Sequence, residues 1–430
     1  MIEVIKYPEK ALWLALTTRA SVLTSAIQKT VVTIVESVQS LGDQALFDYT
    51  LQFDQVKLER LTVGEEEFKS AKNLIGFSQM EAIKLAKRNI EKFHAAFCEQ
   101  PQKIETTKGV FCWRDSRPIE RVGLYIPGGS APLFSSVLML GIPALLAGCK
   151  EIILCTPPNK EGKVDPLILY TAELLGIKNI FKVGGAQAVG AMAYGTESIT
   201  KVDKIFGPGN QYVTLAKMLV QMDGIAIDMP AGPSEVLVVA DRTSNAKYVA
   251  SDLLAQAEHG EDSQVILLSN DLSIIERINQ EIKVQLESLP RQLIVKKALQ
   301  NSRAILLENI DQCIEFSNCY APEHLILAFN NSASYEAKIQ NAGSVFFGRY
   351  SCESIGDYAS GTNHTLPTGG FAKSYSGVSV DSFVKKVTFQ HVTRGGFLNI
   401  GKSVEVMAEA EHLVAHKQSI SLRLNDLIND

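Results

Sequence analysis

Four of the seven histidines in this chain stand in short polar motifs: His259, His324, His364 and His416. His259 closes AQAEHG, three residues after Gln256 and next to Glu258. Positions three apart on a helix share a face, so an amide oxygen and an imidazole nitrogen there can hold a divalent cation. Taken alone, the pair is more simply a helix C-terminus whose histidine complements the dipole. His324 follows Glu323 in APEHL. Pro322 disfavours helical backbone at Ala321 and predicts an exposed turn, on which an adjacent acid and imidazole can exchange protons or merely face water. Asp357 and His364 belong to GDYASGTNH, read as a glycine-rich loop that either turns the chain or binds a ligand. Glu411 and His416 lie on a predicted tail helix, Val404–Lys417, and by themselves fit a solvated face. So few histidines, so placed, point to one shared site.

The elements that must position these residues are legible around residues 227–260. Glu235–Asp241 (EVLVVAD) is a short apolar run, the pattern of a strand covered on both faces. Ser244 and Asn245 are N-cap types, and apolar residues at Tyr248, Val249, Leu253 and Leu254 predict a helix ending at Gly260. From about residue 119 strands and helices alternate. Predicted strands are 121–126, 151–155, 179–183 and 202–206, with helices over 132–147, 166–175, 186–194 and 212–220. After the central stretch, 264–269, 304–307 and 325–328 read as further strands and 272–286 as a helix. Such alternation predicts parallel sheets with covering helices. Three glycine turns, PGGSAP at 127–132, GGAQAVG at 184–190 and GPGN at 207–210, follow strand ends, where α/β sheets bind ligands; G-x-G-x-x-G is absent. Residues before about 100 read as helical, with Ile27, Val31, Ile34, Val35 and Val38 on one face, and His94 as a structural histidine. From about 380 the chain reads as helical and polar.

Composition excludes some classes. A net charge of -5 with no dense basic run argues against a nucleic-acid partner or an anionic membrane surface. The seven cysteines are odd in number and contain no Cys-x-x-Cys, which predicts reduced thiols in a cytoplasmic protein and leaves any metal to oxygen and nitrogen ligands. The N-terminus lacks the apolar core of an export signal. The uncharged stretch between Arg121 and Lys150 is broken by Gly141, Pro143 and Gly148 and predicts a buried helix, not a membrane span.

IDMPAGPSE, the strand that follows it and DLLAQAEHG together resemble the signature of the histidinol dehydrogenase family. GLYIPGG, GGAQAVG and GPGN before that signature, and APEHL, GDYASG and the tail EHLVAHK after it, occur in the family's order, so the resemblance covers nearly all of the chain from residue 119. One departure is His412, where the family's tail motif usually has glycine. The resemblance implies two Rossmann-like parallel-sheet domains without G-x-G-x-x-G, a helical N-terminal arm and a helical C-terminal tail. The expected boundaries are an arm over 1–25, a first α/β domain from 26–118 plus 235–379, a second from 119–234, and a tail over 380–430 that crosses to the partner of a homodimer.

What the resemblance implies for function is oxidation of L-histidinol to L-histidine with two NAD+ and one water. It implies one Zn2+ per site held by Gln256, His259, Asp357 and His416. Glu323 and His324 are the implied acid/base residues. Ser234, His324, His364 and Glu411 are implied substrate contacts together with the metal ligands. Tyr125, Gln187 and Asn210 are implied nucleotide contacts. The alternatives are a dehydrogenase of the same fold acting on another small amino- or sulfo-alcohol, a metal-dependent hydrolase that ignores NAD+, and a zinc-binding scaffold without turnover.

Overall fold

The protein is described by a computed structural model covering residues 2–19, 25–98, 100–128, 132–230 and 232–429. It forms two units, Met1–Ala96 with Ile119–Phe383, and Phe97–Pro118 with Val384–Asp430.

The first unit holds two parallel sheets. One has six strands in the order Glu3–Lys6, Arg303–Leu306, Gln264–Ser269, Glu235–Ala240, His324–Leu327 and Ser344–Phe347. Its central strands Glu235–Ala240 and Gln264–Ser269 are buried at every position, as continuous apolar runs covered by helices on both faces must be. Alternation divides the faces. Val236, Val238 and Ala240 pack with Val249, Leu253 and Ile278, whereas Leu237 and Val239 pack with Phe316 and Tyr320. The other sheet has five strands in the order Asn179–Lys182, Glu151–Thr156, Arg121–Tyr125, Lys204–Phe206 and Ala226–Ile227. The uncharged stretch forms the helix Phe134–Ala147, buried continuously from Ser135 to Ala144. Among the described residues no helix is long and apolar enough to cross a membrane.

Several expectations need correction. The first strand, Glu3–Lys6, lies in the segment expected as a helical arm; it pairs with Arg303–Leu306 and is followed by the short helix Lys10–Leu16. Residues 20–24 of that arm lie outside the described residues. The expectation that 26–118 joins the sheet of 235–379 does not match the packing. Val31, Ile34, Val35 and Val38 pack with Val189 and Met192 of the five-stranded sheet's layer, and Ile83 and Ile90 pack with Leu138 and Leu140. Their apolar stripes marked them as helices facing a core, but periodicity cannot say which core.

The second unit is a three-stranded antiparallel sheet, Val384–Val392, Val110–Pro118 and Ile104–Thr107, followed by the helices Arg394–Ala410 and Val414–Asn429. Residues 384–392, expected as helix, are therefore a strand. Val384, Val387, Phe389 and Val392 carry the β-branched and aromatic character of a strand whose polar residues mask it, and Trp113 stacks on Phe389 across the ladder at 5.4 Å.

Candidate active site

The six-stranded sheet reverses its winding between Glu235–Ala240 and His324–Leu327, because the chain adds strands on one side and then returns to the other. The polar motifs gather at the amino ends of these two strands. His324 starts its strand in register with Val236. The Glu235 backbone N–H donates to Glu323 Oε2 at 2.9 Å, and the Glu235 carbonyl stands 3.4 Å from His324 Nδ1. The expectation of an exposed turn is corrected here. Glu323 and His324 are only 6% and 4% exposed, and Ala321 adopts φ +55° as the left-handed stop of helix Ile310–Tyr320.

The helix Ala246–Ala257 runs back along the sheet, so its C-terminal end arrives at this same edge. Its cap is Asn245, whose side chain accepts from the Lys247 N–H. Gln256, buried, is in its last turn, and the His259 N–H donates to the Gln256 carbonyl at 3.2 Å. Asp357 lies on a short helix, Glu353–Tyr358, where a loop was expected. That helix brings in Glu353, which the sequence reading missed. His259, Glu353 and Asp357 each present a ligand atom within 4.8 Å of the others. With its amide nitrogen turned toward the acid, Gln256 donates to the Glu353 oxygens at 2.9 and 3.1 Å and lies 3.3 Å from His324 Nδ1. This orientation pairs donors with acceptors and keeps the amide oxygen away from the carboxylate.

Electrostatically the cluster is overcharged. Burial pushes the Glu323 and Glu353 carboxyls up to about 8. Burial acts to lower His324, but the surrounding carboxylates of Glu353, Glu323 and Asp357 prevail and hold it up at about 10. His324 Nε2 stands 3.4 Å from Asp357 Oδ1. Desolvation acts to raise Asp357, yet its hydrogen bond to His324 and that charge hold it below the ordinary range. His259 is lowered, mainly by desolvation, toward the neutral ring a metal requires. His259 with the Glu353 and Asp357 carboxyls is a donor set of nitrogen and oxygen that a divalent cation fits, and its charge would offset the crowded carboxylates.

His364 is held at both ring nitrogens, Nδ1 by the Asp357 carbonyl at 3.0 Å and Nε2 by Ser136 Oγ at 3.1 Å. Burial lowers its pKa. Ser234, half-buried, immediately precedes Glu235, while its neighbour Ala231 in the same motif lies outside the described residues. Thus Ser234, Gln256, His259, Glu323, His324, Asp357 and His364 all belong to the first unit. Glu411 and His416 belong to the second and are exposed. They do not share one tail helix as expected: Glu411 caps the helix Arg394–Ala410 and His416 lies in the first turn of the next, Val414–Asn429.

The five-stranded sheet places its polar turns at the opposite, carboxyl ends of its strands, where its own winding reverses between Arg121–Tyr125 and Lys204–Phe206. A cavity of about 830 Å³ opens there, lined by Tyr125, Gln187 and Asn210. Tyr125 ends its strand, and its hydroxyl accepts from the Gly185 N–H at 3.1 Å. Asn210 caps the helix Gln211–Met222 through Oδ1. Gly207 needs its φ of +129°, and a Cβ there would strike the Tyr125 carbonyl. Its turn is clamped by two buried residues the sequence reading did not single out: Asp228 accepts from the Gly207 N–H at 2.8 Å, and Lys217, paired with Asp228, donates to the Gly207 carbonyl at 2.9 Å. Residues 129–131 of the 127–132 turn lie outside the described residues.

Comparison with known proteins shows the family and the fold. The family model described as histidinol dehydrogenase matches residues 17–424. A histidinol dehydrogenase of Bacteroides thetaiotaomicron is 53% identical over 427 residues, covering 99% of this chain and all of that one. One of Haemophilus influenzae is 53% identical over 401 residues, 93% of each chain. The crystal structure of histidinol dehydrogenase from Elizabethkingia anophelis superposes with a TM-score of 0.97 at 57% identity, covering 99% of this chain and 98% of that one.

Proposed function

Because this chain belongs to the histidinol dehydrogenase family, we propose that it oxidises L-histidinol to L-histidine in two steps at the amino edge of the six-stranded sheet. The observation that carries the reading is the convergence of Gln256, His259 and Asp357 with Glu323 and His324 in one cluster, buried at Gln256, Glu323 and His324 and open to solvent at His259. Gln256, His259 and Asp357 would hold Zn2+, with His416 of a second copy completing the set. Bound zinc would supply a positive charge that attracts the substrate's nitrogen donors and cancels part of the carboxylate charge around His324. Two molecules of NAD+, bound in turn, would supply the hydride acceptor for the two oxidations.

The side chains account for the protons and the water. His324 Nε2 takes the alcohol proton as the first C–H bond breaks, leaving an aldehyde. Glu323, with its carboxylate steered by the Glu235 N–H, takes a proton from the water that adds to the aldehyde carbon, while His324 returns the alcohol proton to the aldehyde oxygen and is neutral again. His324 then takes the hydrate's O–H proton as the second hydride leaves, giving the carboxylic acid, which loses its remaining proton to water. Ser234 and His364, with Glu411 of a second copy, would hold the substrate's polar groups. Tyr125, Gln187 and Asn210 line the dinucleotide's place. The exposed Val406, Met407, Leu413, Val414 and Leu422 of the second unit support a homodimer in which this tail packs on a second copy. The reduced cysteines support a cytoplasmic enzyme.

Histidinol given to the enzyme with excess NAD+ should yield about two NADH per molecule consumed, the count fixed by oxidation from alcohol to acid. A stop at one would overturn the second step, and oxidation of other amino-alcohols in preference to histidinol would favour a different substrate for the same fold. Glu323→Gln should spare the first hydride and slow the second in single-turnover measurements; equal loss of both would remove Glu323 from the hydration step.

A further inference from the structure

The cavity beside the five-stranded sheet contains an acid that none of the roles above uses. Asp54 ends the short π-helical turn Thr50–Asp54 and lines the cavity together with Phe53 and Lys160. Its Oδ2 is buried and, among the described residues, has no hydrogen-bond partner. Lys160 does not satisfy it. That ammonium donates instead to the Asp54 carbonyl at 3.5 Å and to Gln55 Oε1 at 3.2 Å. Gln187 Oε1, in the same cavity, is a second buried acceptor without a donor among the described residues. Buried acceptors left unsatisfied are costly, so a ligand that fits here must bring hydroxyl or amide N–H donors. Burial raises the Asp54 carboxyl to about 6, still low enough for it to be mostly ionised at neutral pH. An ionised, half-buried carboxylate accepts strongly from neutral hydroxyls and repels a second anion. Phe53 stands beside it, 48% exposed and stacked on Tyr49 at 5.5 Å, and so offers a flat apolar face at the cavity rim.

We infer that Asp54 reads the ribose hydroxyls at the adenosine end of the dinucleotide and so restricts this cavity to NAD+ against NADP+. A ribose diol supplies the donor that Oδ2 lacks, whereas a 2′-phosphate in its place would set an anion against the carboxylate. The adenine would lie toward Phe53, and the nicotinamide half toward Tyr125 and Gln187. This inference rests on the reading of the cavity as the dinucleotide site, and the experiment separates the two.

NAD+, NADP+ and NAD+ lacking the adenosine 2′-hydroxyl are titrated calorimetrically into the full-length wild type, Asp54→Asn and Gln187→Ala. The wild type should bind NAD+ at least about tenfold tighter than NADP+, as a charge-assisted hydrogen bond lost and a like charge gained imply. Asp54→Asn should weaken NAD+ about fivefold, close most of the gap to NADP+ and no longer favour the 2′-hydroxyl. If Asp54→Asn keeps the wild-type discrimination while Gln187→Ala weakens NAD+, the cavity reading survives and the role of Asp54 is overturned. If the wild type binds no dinucleotide, or Gln187→Ala leaves binding unchanged, the cavity reading fails and takes this inference with it. The 2′-deoxy comparison on the wild type tests the contact even if Asp54→Asn does not fold: equal affinity for the two ligands overturns it.

Discussion

The Glu235 carboxylate receives both ends of the Arg19 guanidinium, Nε to Oε2 and Nη2 to Oε1, each at 2.9 Å. The guanidinium also lies 3.5 Å from the Tyr320 ring, and the Tyr320 hydroxyl donates to Glu235 at 3.2 Å. Glu235 is 1% exposed. Its backbone N–H is the one that steers Glu323, so a residue near the N-terminus braces the site through the strand that carries it. Removing one partner of a buried ion pair leaves an uncompensated charge. Arg19→Ala should therefore lower stability by about 3 kcal/mol, read as a fall in Tm, and Glu235→Gln added to it should recover part of the loss. A single variant melting with the wild type would show that the pair is not a brace.

Glu353 should matter without touching the substrate. Its carboxylate lies 2.9 Å from the Gln256 amide and fixes which end of that amide faces the acid. Partners of this kind tune ligands, and losing one costs about 10- to 100-fold in metal affinity. Glu353→Ala should weaken Zn2+ binding to the metal-free protein by that factor in a competition titration. Glu353→Gln should restore part of it by accepting from the same amide. Wild-type zinc affinity in both variants would dismiss the role.

His412 occupies a position that favours glycine. The helix Arg394–Ala410 ends in a Schellman arrangement: the His412 N–H bonds the Glu409 carbonyl at 3.0 Å and the Leu413 N–H bonds the Ala408 carbonyl at 2.9 Å. His412 therefore sits at φ +58°. A side chain there costs about 1 kcal/mol relative to glycine. His412→Gly should raise the stability of the second unit by about that amount in denaturant melts, and a destabilised variant would mean that the imidazole makes a compensating contact.

Asp252 links stability to pH. Burial raises its carboxyl to about 7, above the unfolded value near 3.8. The folded state thus binds the proton more tightly. The stability this contributes is complete below the unfolded pKa and lost as pH rises through about 7. Asp252→Asn should gain little in Tm over the wild type at pH 4 and most at pH 8. An equal difference at both values would remove the linkage.

The chain's local patterns determined much of this protein. The apolar run of Glu235–Ala240, the Asn245 cap and the stripes of Ser25–Leu41 and Phe77–Ala95 gave strands and helices close to those observed, because each is decided by neighbours within a few residues. The motifs also named the residues that meet around His324, and the family they resemble is the one the comparisons return. Glu353 escaped although it stands four residues before Asp357, one helical turn away, because residues 356–364 read as a loop.

Only the tertiary structure decided which edge of each sheet carries chemistry. Carboxyl ends were the general expectation, and they hold the cavity of the five-stranded sheet. Glu323 and His324 lie at the amino edge of the other, because they begin its strand and Gln256 ends a helix running back against its neighbour. Strand order and burial arise from contacts between residues far apart in the chain. They alone desolvate Glu323 and crowd three carboxylates around one imidazole, turning what reads locally as an exposed turn into a site with the charge to hold a cation.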